Sequence, residues 1–94
     1  MSRKRIRATV HGRVQRVAFR EYTRREAARL GVSGWVQNQA DGTVLVLCEG
    51  EVARVDALVA WLSTGPPYAI VTRIDLKEEE PQGTTGPLEI RYAS

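Results

Sequence analysis

The strongest constraint on the fold is the order in which the hydrophobic period changes along the chain. Residues 4–10 alternate, with Ile6, Ala8 and Val10 on one side and Arg5, Arg7 and Thr9 on the other. That period of two predicts a half-buried strand. His11-Gly12 ends it, and from about Ala18 the spacing turns helical. Phe19, Tyr22, Ala27 and Leu30 fall near one face, Arg24, Arg25 and Arg29 fill much of the rest, and Gly31 follows as a C-terminal stop. Residues 32–39 and 43–49 read as strands rich in valine, leucine and tryptophan. Gln39-Ala40-Asp41-Gly42 joins them, and Asp-Gly between two apolar runs is a hairpin signal. Val52, Val55, Val59 and Leu62 recur at spacings of three and four, which predicts a second amphipathic helix from about Glu51 to Thr64. Gly65-Pro66-Pro67 stops it, because proline lacks the amide hydrogen a helix needs. Ile70, Thr72, Ile74 and Leu76 alternate with Val71, Arg73, Asp75 and Lys77 as a fourth strand. Glu78 to Pro87 is acidic and then rich in Gly, Pro and Thr, and reads as a loop. Leu88, Ile90 and Tyr92 alternate in a short last strand.

The order is β-α-β-β-α-β plus a C-terminal strand. Two helices with one apolar stripe each bury those stripes together only by packing on a sheet. The expected fold is therefore α+β: a ferredoxin-like two-layer α/β sandwich with a mainly antiparallel sheet. Its first strand lies inside the sheet, and the exit loop of that strand opens at the sheet's end, where a site can form. Ninety-four residues without repeat or linker predict a single domain over 1–94. No run approaches 18 apolar residues, so no membrane span is expected. The basic start Met1-Ser2-Arg3-Lys4-Arg5 leads into no apolar stretch, which argues against a secretory signal. One cysteine, Cys48, makes no internal disulfide and sits in an apolar run, so a buried, inert thiol is expected. A cytoplasmic monomer fits these features.

The net charge of +3 conceals an asymmetry. Residues 1–30 carry ten Lys/Arg against two Asp/Glu, and residues 31–94 carry four against nine. The basic third contains Gly12-Arg13-Val14-Gln15-Arg16-Val17-Ala18-Phe19-Arg20, a loop that leaves a strand and enters a helix. Backbone amides at a helix N-terminus converge on anions, and here arginines join them, so the loop reads as an oxyanion cradle, in first place for phosphate. Arg20 falls on the first helical turn, from where its guanidinium reaches back to grip a phosphoryl group through a bidentate fork. One His and one Cys do not make a zinc site, so no metal is expected. His11 is the sole available imidazole base, and its loop position reads as structural. Gly12 begins no G-x-x-x-x-G-K-[ST] run, so this is not a P-loop.

Gly12-Arg13-Val14-Gln15 followed by Val17, Phe19 and Arg20 resembles the first motif of the acylphosphatases, G-R-V-Q-G-V-x-F-R. Every fixed position matches except the second glycine, where Arg16 stands. A second motif follows at the family spacing: Gly34-Trp35-Val36-Gln37-Asn38, then Gly42, Val44 and Gly50. Two motifs in order, with the length and element order, extend the resemblance over nearly the whole chain. It implies hydrolysis of an acyl phosphate to a carboxylate and inorganic phosphate, with no cofactor. It assigns Arg20 as the phosphate-binding arginine and Asn38 as the residue that orients the attacking water. Backbone amides from about Val14 through Gln15 and Arg16 to Val17 would hold the phosphoryl oxygens, and Thr43 would support Asn38. The partner implied is a small acyl phosphate, not nucleic acid and not a membrane.

Arg16 is the departure. A glycine in a tight anion loop supplies a positive φ, and another residue there costs about 1–2 kcal/mol. The loop either keeps its shape under strain, with Arg16 adding positive charge, or relaxes and loses an amide contact. Two other readings use the same residues. A catalytically weak domain of this fold would serve as a phosphate-binding or interaction module. The RNA-recognition fold shares the element order and would suit the basic third, but it stacks bases on aromatics of its first and third strands. Neither Lys4–Val10 nor Thr43–Glu49 contains an aromatic residue.

Overall fold

A computed structural model describes residues 2–92. Seven elements follow in the order β1 (Arg3–Arg13), α1 (Phe19–Leu30), β2 (Ser33–Asn38), β3 (Val44–Glu51), α2 (Val52–Thr64), β4 (Ile70–Glu79) and β5 (Glu89–Arg91). They form a five-stranded sheet in the order β4-β1-β3-β2-β5. All pairings are antiparallel except β2 with β5, which is parallel. Both helices pack on one face, so the fold is the ferredoxin-like sandwich expected, with β1 held between β3 and β4. Among the described residues no helix is long and apolar enough to cross a membrane.

The core lies between the sheet and the helices. Ile6, Ala8 and Val10 of β1, Val36 of β2, and Val44, Val46 and Cys48 of β3 meet Phe19 and Ala27 of α1 and Val55, Leu58 and Leu62 of α2. The buried face of α1 differs from the expected one at a single position. Thr23, not Tyr22, is buried, because Phe19, Thr23 and Ala27 recur every four residues along the contact. The Thr23 hydroxyl donates to the Phe19 carbonyl at 2.8 Å, so no polar atom is stranded. Tyr22 turns outward, with the Arg25 guanidinium 5.6 Å from its ring centre.

Two boundaries move for physical reasons. His11-Gly12 does not end β1, which continues to Arg13 by pairing with β4 through a bulge. His11 pairs with Arg73 and Gly12 with Val71, so Thr72 is the extra residue. The bulge exchanges the faces of β4: Val71 and Ile74 both reach the core, while Ile70 is left 58% exposed. Gly12 permits this, with φ 124° and a backbone approach so close that a Cβ would lie 2.1 Å from the Ile70 carbonyl oxygen. At the other end, Glu78 and Glu79 belong to β4 rather than to the loop, paired with Ile6 and Arg5.

The chain between β4 and β5 must pass from one edge of the sheet to the other, and Glu49 anchors it. This carboxylate is fully buried. It accepts from the backbone amides of Gln82, Gly83 and Thr84 at 2.7–3.2 Å and from Arg5 Nη1 at 2.9 Å. Arg5 also donates to Glu79 and to the Thr84 hydroxyl. Burial alone pushes the Glu49 carboxyl up. The Arg5 hydrogen bond and the three amides outweigh it and bring the group down to about 2.

Candidate active site

Two connections meet at the end of the sheet where β1 exits. The first is residues 14–18, between β1 and α1. The second is the end of β2, where Asn38 leads into the hairpin of residues 39–43. Val14 is fully buried and fixes the start of the loop, while Phe19 fixes its end by packing on the Trp61 ring of α2, centroid to centroid 6.1 Å. Between these anchors Arg16 has φ 63° and Ala18 has φ 57°. Both are left-handed, and a left-handed residue next to a right-handed one is the backbone arrangement from which anion-binding nests are built. Ala18 is also the N-cap of α1 and offers no side-chain cap, so the helix's first amides remain directed at the loop.

The loop is tied to the hairpin by one side chain. Gln15 Nε2 donates to the carbonyls of Gln39 at 2.7 Å and Thr43 at 2.9 Å. The hairpin in turn is stiffened by Asp41, whose carboxylate accepts from the Thr43 amide at 3.0 Å and the Thr43 hydroxyl at 2.6 Å. Those two bonds hold the Asp41 carboxyl below its ordinary range. Gln39 Nε2 completes the set by donating to the Thr43 hydroxyl at 2.9 Å. Thr43 was expected to support the Asn38 side chain. Its hydroxyl is taken up by Asp41 and Gln39 instead, so any influence on Asn38 passes through the hairpin.

The result is a cleft of about 130 Å³ lined by Val14, Arg16, Ala18, Phe19, Arg20, Glu21 and Asn38. Arg20 and Asn38, eighteen positions apart in sequence, border the same space. Arg16 lines it as well. The side chains of Gln15 and Val17 do not: Gln15 faces the hairpin and Val17 packs on the core. Only their backbone amides remain as groups to offer a ligand. Arg20 is braced from behind, with Nη1 donating to the Arg91 carbonyl at 3.4 Å and its guanidinium 4.7 Å from the centre of the Tyr92 ring. Glu21 brings a carboxylate to the rim. The Arg24 hydrogen bonds lower it, burial raises it, and Arg25 lowers it further, to about 2. His11 stands outside the cleft, bonded through Nε2 to Asp75 at 2.9 Å. Cys48 is buried in the core, and that burial pushes its thiol up to about 12, far from the range of a nucleophile. No group of three or more metal-ligating side chains occurs among the described residues.

The family model for acylphosphatase matches residues 6–90. The chain belongs to the acylphosphatase family. An acylphosphatase from Thermococcus kodakarensis is 51% identical over 92% of this chain and 94% of its own. Another, from Anaeromyxobacter dehalogenans, is 49% identical over 96% and 97%. The crystal structure of the Bacillus subtilis acylphosphatase superposes with a TM-score of 0.90 at 34% identity, covering 95% of this chain and 99% of that one. This acylphosphatase is therefore a hydrolase, and its reaction class is hydrolysis of an acyl phosphate.

Two features of the site go beyond the expectations from sequence. Gln15 contributes its side chain as well as an amide, tying the loop to the hairpin. Tyr92 is more than a strand residue, since its ring lies beside the Arg20 guanidinium. Its place beside Arg20 follows from the parallel pairing of β5 with β2, which periodicity does not reveal.

Proposed function

We propose that this acylphosphatase works by placing a water in line with the phosphorus–oxygen bond of an acyl phosphate held in the cleft of Arg20 and Asn38. The phosphoryl oxygens sit in the nest of amides from about Val14 to Val17, and the Arg20 guanidinium grips them through a bidentate fork. Asn38 is no base, but its amide both donates and accepts, which suits it to fix the orientation of a water. The observation that carries this reading is the convergence of Arg20 and Asn38, one from each sequence motif, on a single cleft. Its volume suits a phosphoryl group with one water, whose share of liquid volume is about 30 Å³.

The poverty of the site in acids and bases suits the substrate. The leaving group is a carboxylate whose conjugate acid has a pKa of about 4, so it departs without protonation. Water attacks phosphorus, the bond from phosphorus to the acyl oxygen breaks, and the electron pair leaves with the carboxylate. The proton lost by water passes to phosphate or solvent. Positioning and charge stabilisation are then the whole task, and neither calls for a cofactor.

One chain, taken as a single domain over 1–94, supplies every residue of the cleft, so a monomer is competent. A lone buried thiol is at home in a reducing cytoplasm. A nucleic-acid reading is disfavoured by the open sheet face, where Arg5, Arg7, Glu49 and Glu79 form an ion-paired network in place of stacking rings on β1 and β3.

Benzoyl phosphate hydrolysis tests the assignment. Arg20→Ala and Asn38→Ala are each expected to lower kcat by about 10²–10³, the loss typical of removing one group that stabilises a transition state. Wild-type turnover with both variants nearly unaffected would sink the assignment. A folded wild type without turnover would favour a phosphate-binding module.

A further inference from the structure

The cleft holds two guanidinium groups, and only one has an assigned task. Arg20 is braced by Arg91 and Tyr92. Arg16 lines the same cleft, is exposed, and forms no ion pair or side-chain hydrogen bond among the described residues. It stands where the family motif has glycine, and it holds the left-handed backbone that glycine would hold, at φ 63°. The loop thus keeps at this position the backbone that glycine would give, and carries a cation there as well.

We infer that Arg16 is a specificity-determining residue that selects acyl phosphates whose acyl group bears a second anion, a carboxylate or a phosphate. The inference rests on the acylphosphatase site described above. In that site the Arg16 amide belongs to the group assigned to the phosphoryl oxygens, while its side chain is exposed at the cleft. In the site proposed above the cleft of about 130 Å³ takes the phosphoryl group and its water, so the acyl group extends past the rim. A neutral acyl group gains nothing from an unpaired guanidinium there. An anionic one gains a charge-assisted hydrogen bond.

The other charge on the rim does not cancel the effect. The Glu21 carboxylate is occupied by Arg24 at 2.7 and 2.8 Å and by Arg25 at 3.0 Å. Two cations already pair with that one anion, so it does not neutralise Arg16. Arg16 therefore acts on the acyl end, while Arg20 acts on the phosphoryl end that all substrates share.

A rigid substrate series separates the two ends. Benzoyl phosphates bearing a 3- or 4-carboxylate are compared with the neutral 3- and 4-carbamoyl isosteres, which match them in shape. Wild type is expected to favour the better carboxylated isomer in kcat/KM by about tenfold at low ionic strength. That preference should shrink as salt is added, since an exposed pair is screened. Arg16→Gln should bring the ratio close to one, and Arg16→Lys should keep part of it. Arg20→Ala should depress both members of each pair alike. A ratio that survives Arg16→Gln, or a loss shared equally by charged and neutral substrates, overturns the inference, the second outcome placing Arg16 on the phosphoryl group. Failure of the underlying site looks different: folded wild type then turns over none of the four compounds.

Discussion

At the scale of single residues, the backbone sets the cost of each side chain. Arg16 occupies left-handed space that is unfavourable by about 1–2 kcal/mol for a residue with a Cβ. Arg16→Gly should therefore raise stability by about 1 kcal/mol, a Tm gain of about 4–8 °C for a domain of this size, read by thermal denaturation. The motif comparison at this position anticipated the positive φ, because a glycine in a family pattern is a statement about backbone. What it did not show is the left-handed Ala18 two residues later, since the family pattern leaves that position free. Gly34 is the opposite case. Its φ is 135°, and a Cβ there would lie 1.8 Å from the Leu47 carbonyl oxygen in the neighbouring strand. Gly34→Ala is expected to cost roughly 3 kcal/mol or more, as overpacking against backbone does, and chemical denaturation would show it.

At the scale of elements, the site depends on a tie between two connections that share no strand. Gln15 fills two carbonyls of the hairpin from the loop side, at Gln39 and Thr43. Gln15→Ala leaves both without that donor and frees the loop to move against Asn38. The expected outcome is a loss of about 1–3 kcal/mol of stability together with a drop in kcat/KM on benzoyl phosphate of about tenfold. A stable variant with undiminished turnover would show that the tie is dispensable. The elements themselves were legible from periodicity, since each of the two helices and five strands was anticipated within a few residues. The register of β4 was not. Its alternation reads cleanly from Ile70 to Leu76, and the bulge at Thr72 that hands the core from one parity to the other leaves no mark in the pattern. Edge strands tolerate such a shift because only one neighbour has to follow.

At the scale of the whole molecule, the segment after β4 acquires a role that composition hid. It reads as a loop, yet its amides at Gln82, Gly83 and Thr84 close around the one buried carboxylate among the described strand residues. Glu49 sits in β3 among valines and leucines, where a charge has a high desolvation cost unless its partners are complete. The partners come from β1 and from a segment more than thirty residues away, a closure no local pattern encodes. The pH dependence follows with its sign. The folded carboxyl titrates at about 2 against an ordinary 4.5, so its stabilisation is present above about pH 4.5 and is lost as pH falls toward 2. The amount is on the order of 3 kcal/mol. Glu49→Gln should flatten that part of the acid denaturation profile and cost about 3–5 kcal/mol at pH 7, because Arg5 then loses its buried partner. Urea denaturation at pH 7, 4 and 3 for both proteins would measure both effects.

The strand order carries a consequence for how the molecule is made. β1 precedes the other elements described, yet it is an inner strand, and its neighbours β3 and β4 are encoded far downstream. At about 5–20 residues per second, β1 waits several seconds before β4 exists to cover its second edge. Until α1 and α2 have followed, Ile6, Ala8 and Val10 form an apolar stripe that lacks its core partners. The four basic residues Arg3, Lys4, Arg5 and Arg7 interleaved with it keep the nascent segment soluble. The charge that later holds Glu49 and Glu79 in the finished sheet thus serves first as a guard against premature pairing. The contact of Tyr92 with Arg20, at the edge of the cleft, forms only after β5 has been made.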